Sequence, residues 1–222
     1  MAGHLALLAE LHRGLKLPEG TAQIDLAKAK AVQLFPTAGG FHAISSEVKA
    51  VLQEMPAKRC PWLGRLENPQ LAAWLGRLAG WLAQSGSLAL LGLSFIDSQR
   101  SPWASVRGGL ILHARHFDSL SKSRYYLLAF EYAGLVAAFF AMLYPVDSAI
   151  SLLPVDVGVW RYVFALIFAW SLKAAFLEPI ATAALAEVYF KLASQEGDAG
   201  EAEARELEEG SEAFRKIAQK AV

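Results

Sequence analysis

The stretch from Tyr125 to Val146, YYLLAFEYAGLVAAFFAMLYPV, carries a single charge, Glu131, in 22 residues. A helix rises about 1.5 Å per residue, so this length covers the ~30 Å hydrocarbon core of a bilayer. Lipid offers no hydrogen bonds to a bare backbone, and a helix satisfies its own. Tyr125 and Tyr126 stand at one end and Tyr144 at the other, where aromatic residues anchor a span at the membrane–water boundary. A second apolar stretch, 157–186, has the core YVFALIFAWSLKAAFL, with Trp160 near its start and Pro179 bending it. The spacing predicts two transmembrane helices joined by a tight connection. The fold class expected is all-α integral membrane, a two-helix transmembrane hairpin with amphipathic interfacial or re-entrant helices.

Charge is partitioned along the chain. Residues 1–124 hold 14 Lys/Arg against 8 Asp/Glu, and residues 187–222 hold 5 against 9. Residues 143–160 contain Asp147 and Asp156 and no basic residue. Basic residues favour the cytoplasmic side. The expected orientation puts the connection between spans outside and both termini in the cytoplasm.

The remainder divides into three regions. Residues 1–60 read as a cytoplasmic helical region. Its N-terminus, MAGHLALLAELHRGL, lacks the basic start and small-residue cleavage site of a secretory signal. A helix over Ile24–Phe35 is expected to end at Pro36 and Gly39-Gly40, and a short one over 45–54 to open on a serine cap and stop at Pro56. Residues 61–124 read as an amphipathic interfacial or re-entrant region. There Leu71, Trp74, Leu75, Leu78 and Leu82 share one helix face. Residues 79–96 then run 18 residues without a charge, interrupted by Gln84-Ser85-Gly86-Ser87. Three readings of 79–96 compete: a re-entrant or surface-lying piece, a span, and a helix buried in a soluble core. A span would separate two basic regions that both belong in the cytoplasm, which favours the first. Residues 97–124 suggest an amphipathic helix lying on the bilayer. After the hairpin, 125–192, residues 193–222 read as an acidic cytoplasmic tail helix. Glu201–Arg205 and Glu212–Lys216 support it at i, i+4, and Leu207, Phe214 and Ile217 form a thin apolar stripe. A solvated helix is favoured over a docked one.

Charges inside apolar spans are the candidate functional residues, because an unpaired one costs roughly 2.5–3.5 kcal/mol at mid-span. Glu131 and Lys173 reach similar depth in antiparallel helices. Gly134 and Ala138 follow Glu131 at i+3 and i+7, and Ala169 and Ala165 precede Lys173 at i−4 and i−8. Small residues at such spacing let helices approach closely. An intramembrane Glu131–Lys173 ion pair is therefore expected. Glu178-Pro179 is a kink, with an acid that could bind a cation or sit at the cytoplasmic interface.

No enzyme is expected. The chain lacks G-x-S-x-G, H-E-x-x-H, Walker A and G-x-G-x-x-G patterns, and its one cysteine, Cys60, offers no redox or zinc spacing. His113 and His116 share a helix face at i, i+3, but no carboxylate or cysteine reinforces them, so neither metal nor cofactor is expected. The basic excess fits a membrane surface, not nucleic acid.

The segments GGLILHARHF (108–117), the first span and WSLKAAFLEPIATAALAEVYFK (170–191) together resemble an uncharacterised family of bacterial inner-membrane proteins. That resemblance implies a bacterial inner-membrane location. A fainter similarity is to the C-terminal end of choline-transporter-like proteins, which also place an amphipathic segment before two spans and an acid after the second. This chain is far shorter and lacks their other spans, so no functional residue is carried over. The expected function is a non-enzymatic membrane scaffold or accessory subunit. Its partners would be the lipid bilayer and a second copy or another membrane protein. The alternative is a homo-oligomeric transporter or channel for a small solute, ion or lipid, since two spans cannot enclose a pathway alone.

Overall fold

The computed structural model describes residues 2–59, 65–84, 86–96, 100–151, 158–196 and 200–221. Most of those residues are helical, with no strand among them. The chain forms two compact units, residues 1–121 with 185–222 and residues 122–184.

The first unit has a conventional apolar core. Helix α1 (Ala2–His12) buries Leu5, Ala6 and Ala9. Gly3 lets it lie close on α2 (Thr21–Leu34), since a Cβ there would stand 3.2 Å from Ala27 Cβ. Helix α3 (Ala38–Arg59) buries Ile44, Val48, Val51, Leu52 and Met55, a stripe at helical spacing. The sequence reading broke this region at Gly39-Gly40 and stopped it at Pro56. Instead α3 starts before the glycines and runs through Pro56. Thr37 is the reason: its Oγ1 and its carbonyl oxygen both accept from the Gly40 N–H, at 3.2 and 3.1 Å, which closes the first turn over the glycines. Ser45, read as the cap, is buried mid-helix.

Asn68 caps α4 (Pro69–Gln84), accepting from the N–H groups of Gln70 and Leu71 at 2.9 and 3.1 Å, with Pro69 in the favoured first position. Beyond it, α5 (Ser87–Leu91) and a 3-10 turn (Gly92–Phe95) bury Leu90, Leu91 and Phe95. Arg13 closes that turn by donating to the carbonyls of Phe95, at 2.9 Å, and Ile96. Helix α6 (Pro102–Arg115) starts at a Ser101 cap and turns Val106, Leu110 and Leu112 inward. The sequence reading laid this segment on the bilayer. Its apolar side is core, and Arg107 and Arg115 pair with Glu208 and Glu203 at 3.2 Å each.

Those acids belong to the tail, and the preference for a solvated tail helix needs correction. The tail is two helices, α10 (Glu201–Gly210) and α11 (Glu212–Lys220), the second capped by Ser211 Oγ accepting from the Phe214 N–H. Phe214 and Ile217 are fully buried, and α11 packs on α3 and α6. The new cap at Ser211 resets the phase of the apolar stripe.

The second unit is built from α7 (Phe117–Ile150), α8 (Trp160–Leu172), a π-helical turn (Lys173–Leu177) and the start of α9 (Glu178–Glu196). Three stretches are long and apolar enough to cross a membrane: Pro69–Phe95, Phe117–Ile150 and Trp160–Gln195. Burial separates them. The most apolar window is 59% buried inside the protein for the first and 17% for each of the other two. The apolar surfaces of the latter two therefore face outward. That is the arrangement of helices solvated by lipid, and it suggests a membrane location.

Candidate functional site

Inside the second unit, two acids and two bases come together on apolar helices. Lys173 Nζ lies 3.1 Å from Glu131 Oε2 and donates to Glu178 Oε1 at 2.5 Å. Arg124 Nη1 reaches Glu131 Oε1 at 3.4 Å. Glu131 and Lys173 are only 5% and 4% exposed, whereas the Glu178 side chain is 38% exposed. The rings of Tyr132 and Trp170 flank Lys173 Nζ at 5.3 and 5.5 Å from their centroids, a cation–π environment.

Local structure explains each placement. Arg124 and Glu131 are seven residues apart on α7, two turns along one face. Lys173 and Glu178 are five apart, and in a regular α-helix that spacing points two side chains to different faces. Here the intervening turn is π-helical, with the Glu178 N–H bonded to the Lys173 carbonyl, and five residues close one turn. Pro179 follows at once. It has no N–H to give the carbonyl four residues back, so regular α-helical bonding is already broken at this point. Of Glu178 and Pro179, read from sequence as a kink with an acid that could bind a cation or sit at the interface, Glu178 holds the far side of the lysine.

The four small residues singled out as packing positions differ in burial. Ala165 and Ala169 are fully buried, and Ala138 is half-buried. A Cβ on Gly134 would collide with Leu177 Cδ1, so glycine there admits the π turn's last side chain. Sequence reasoning missed the involvement of Arg124, whose spacing to Glu131 was a usable signal. The Lys173–Glu178 contact had no signal at a period of 3.6.

Two positive and two negative groups balance in the cluster, and both Glu131 oxygens are engaged. It contains no nucleophile next to a base. The arrangement suits holding helices together, because each buried charge has its counter-charge.

Among the described residues, no third metal ligand joins His113 and His116. No group of three His, Cys, Asp or Glu placed to hold a metal occurs among the described residues. His113 is buried with Nδ1 at 2.5 Å from the Tyr189 hydroxyl, and burial pushes its pKa down to about 4. It is a neutral core group at pH 7.

No protein-family model, curated protein or solved structure matches this chain.

Proposed function

We propose that this chain is a non-enzymatic membrane scaffold or accessory subunit, anchored by a hairpin in which α7 and α8–α9 cross the bilayer in opposite directions. The observation that carries the reading is the self-neutralised cluster of Arg124, Glu131, Lys173 and Glu178 on helices whose other faces are apolar and exposed. A second ion pair, Arg161 to Asp147 at 3.3 Å, supports the hairpin. Along α7 the order is Glu131 then Asp147, and on the partner helix it is Lys173 then Arg161 in reverse. The 16 residues from Glu131 to Asp147 span about 24 Å, close to the thickness of the hydrocarbon core. The two charged layers would then lie near its two boundaries. Exposed Val136 and Phe140 on α7 and Phe164 and Phe168 on α8 would meet the lipid tails between them.

Both termini belong in the cytoplasm on this reading, because the N-terminal region is basic and residues 143–160 carry only acids. We place it in the bacterial inner membrane on the resemblance of segments 108–117 and 170–191 alone. The exposed span surfaces and the separately folded helical unit give a partner two places to bind. Homo-oligomeric transport is the second reading. The π-helical turn beside Lys173 favours it, since such turns recur at functional sites.

Gentle purification of the tagged protein from its native membrane, followed by native mass measurement, separates the two. The scaffold reading expects another membrane protein in stoichiometric amount. A defined homo-oligomer without partners, releasing a trapped solute from liposomes, would overturn it in favour of transport.

A further inference from the structure

Helix α4 lies against α3 by its small-residue face. A Cβ on Gly80 would stand 3.1 Å from the Gln53 carbonyl oxygen, so the two backbones approach closely there. The opposite stripe, Leu71, Trp74, Leu78 and Trp81, steps by three and four residues and is uncovered, with Trp74 58% and Trp81 51% exposed. The only charge on the helix, Arg77, is exposed beside it. The continuation of the same apolar stretch behaves differently: Leu90, Leu91 and Phe95 are core.

We infer that α4 docks on the bilayer surface, in the plane of the membrane, through Leu71, Trp74, Leu78 and Trp81. This rests on the membrane reading above and goes beyond it, by making this face a lipid-binding surface without a crossing. Three observations select lipid as the occupant. Tryptophan beside an arginine on an otherwise uncharged amphipathic helix is the composition that settles at the headgroup level, with an anionic headgroup facing the guanidinium. The stripe exposes on the order of 400 Å² if a large aromatic side chain offers up to ~250 Å². A stable protein interface needs about 800 Å² from each partner, so this stripe alone would give a second copy half the area it requires. Finally, the α7 and α8–α9 spans keep a bilayer at high local concentration, so a modest lipid-binding face is enough.

The test uses the full chain with Cys60→Ser, in nanodiscs of phosphatidylethanolamine and phosphatidylglycerol. Single spin labels replace Leu78 on the stripe, Phe168 in the second span and Lys49 on the exposed side of α3. Collision rates with oxygen and with a water-soluble nickel chelate report depth. The inference expects Leu78→Cys to read at the headgroup–acyl boundary, between a deep Phe168→Cys and a water-exposed Lys49→Cys. A label at 78 as wet as the one at 49, with 168 still deep, overturns the docking surface and leaves the membrane reading standing. A label at 78 as deep as 168 overturns it in favour of a crossing. Dipolar broadening between labels at 78, lost on dilution with unlabelled protein, overturns it in favour of a second copy. If 168 itself is wet, the membrane reading has failed.

Discussion

Lys173→Met destabilises the protein by about 3–5 kcal/mol, the cost of leaving a buried acid without its counter-charge. Glu131 then keeps only Arg124, at 3.4 Å, the longer of its two contacts. Removing the acid as well, in Glu131→Gln/Lys173→Met, recovers more than half of that loss. The two groups left behind tolerate the change. Glu178 is 38% exposed, and Arg124 can extend its charged head toward the boundary along an apolar stem. The measurement is the fraction of monodisperse protein surviving a heat step in mild detergent, for the wild type, both single variants and the double. If the double variant loses as much as the two singles added together, the groups act independently and the lock does not exist. Glu178→Gln should cost much less than Lys173→Met, because Lys173 and Glu131 remain paired with each other.

Phe214→Ala costs a similar amount, about 3–5 kcal/mol, for a different reason. Its ring is fully buried where α11 packs on α3 and α6, and truncation leaves a cavity in that core. Glu209→Ala, on the exposed side of α10, is the control and should fall within about 0.5 kcal/mol of wild type. The same heat-step assay reads both. A tail that moved freely in water would make the two substitutions equally silent, so equal stability would refute the docked tail. Adding Ile217→Ala to Phe214→Ala should cost less than the sum, since the two side chains share one face and one cavity.

The apolar stretches were legible in the sequence because lipid-solvated helices need length and a near absence of charge, and both are properties of composition. Glu131 and Lys173 stood out for the same reason. The surroundings of Lys173 were not legible. Its contact with Glu178 depends on a π-helical turn, and pattern reading at 3.6 residues per turn assigns those side chains to different faces. The tail residues Leu207, Phe214 and Ile217 were visible as a stripe, but a stripe does not say what it faces. What it faces is set far away in sequence, by the helices α3 and α6 against which Phe214 and Ile217 are buried, with Arg107 and Arg115 of α6 adding pairs to α10. The start of α3 was misread because glycine pairs usually end helices, whereas in the first turn, next to the Thr37 cap, they cost little. Residues 79–96 divided between two fates that composition alone did not distinguish. Gly80 and the α4 stripe form one local arrangement, and the α5 core segment forms another. Cys60 lies outside the described residues.

The central claim is that the chain crosses the bilayer twice, through α7 and α8–α9, while Pro69–Phe95 does not cross. The most direct test is thiol accessibility in bacterial spheroplasts, using an impermeant reagent on two single-cysteine proteins, native Cys60 and Cys60→Ser/Ser151→Cys. Ser151 is exposed at the end of α7. The account predicts that the cysteine at 151 is labelled from outside in intact spheroplasts and that Cys60 is labelled only after they are opened. Labelling of both from the same side would contradict it, because the number of crossings between the two positions would then be even, and either α7 does not span or Pro69–Phe95 spans as well.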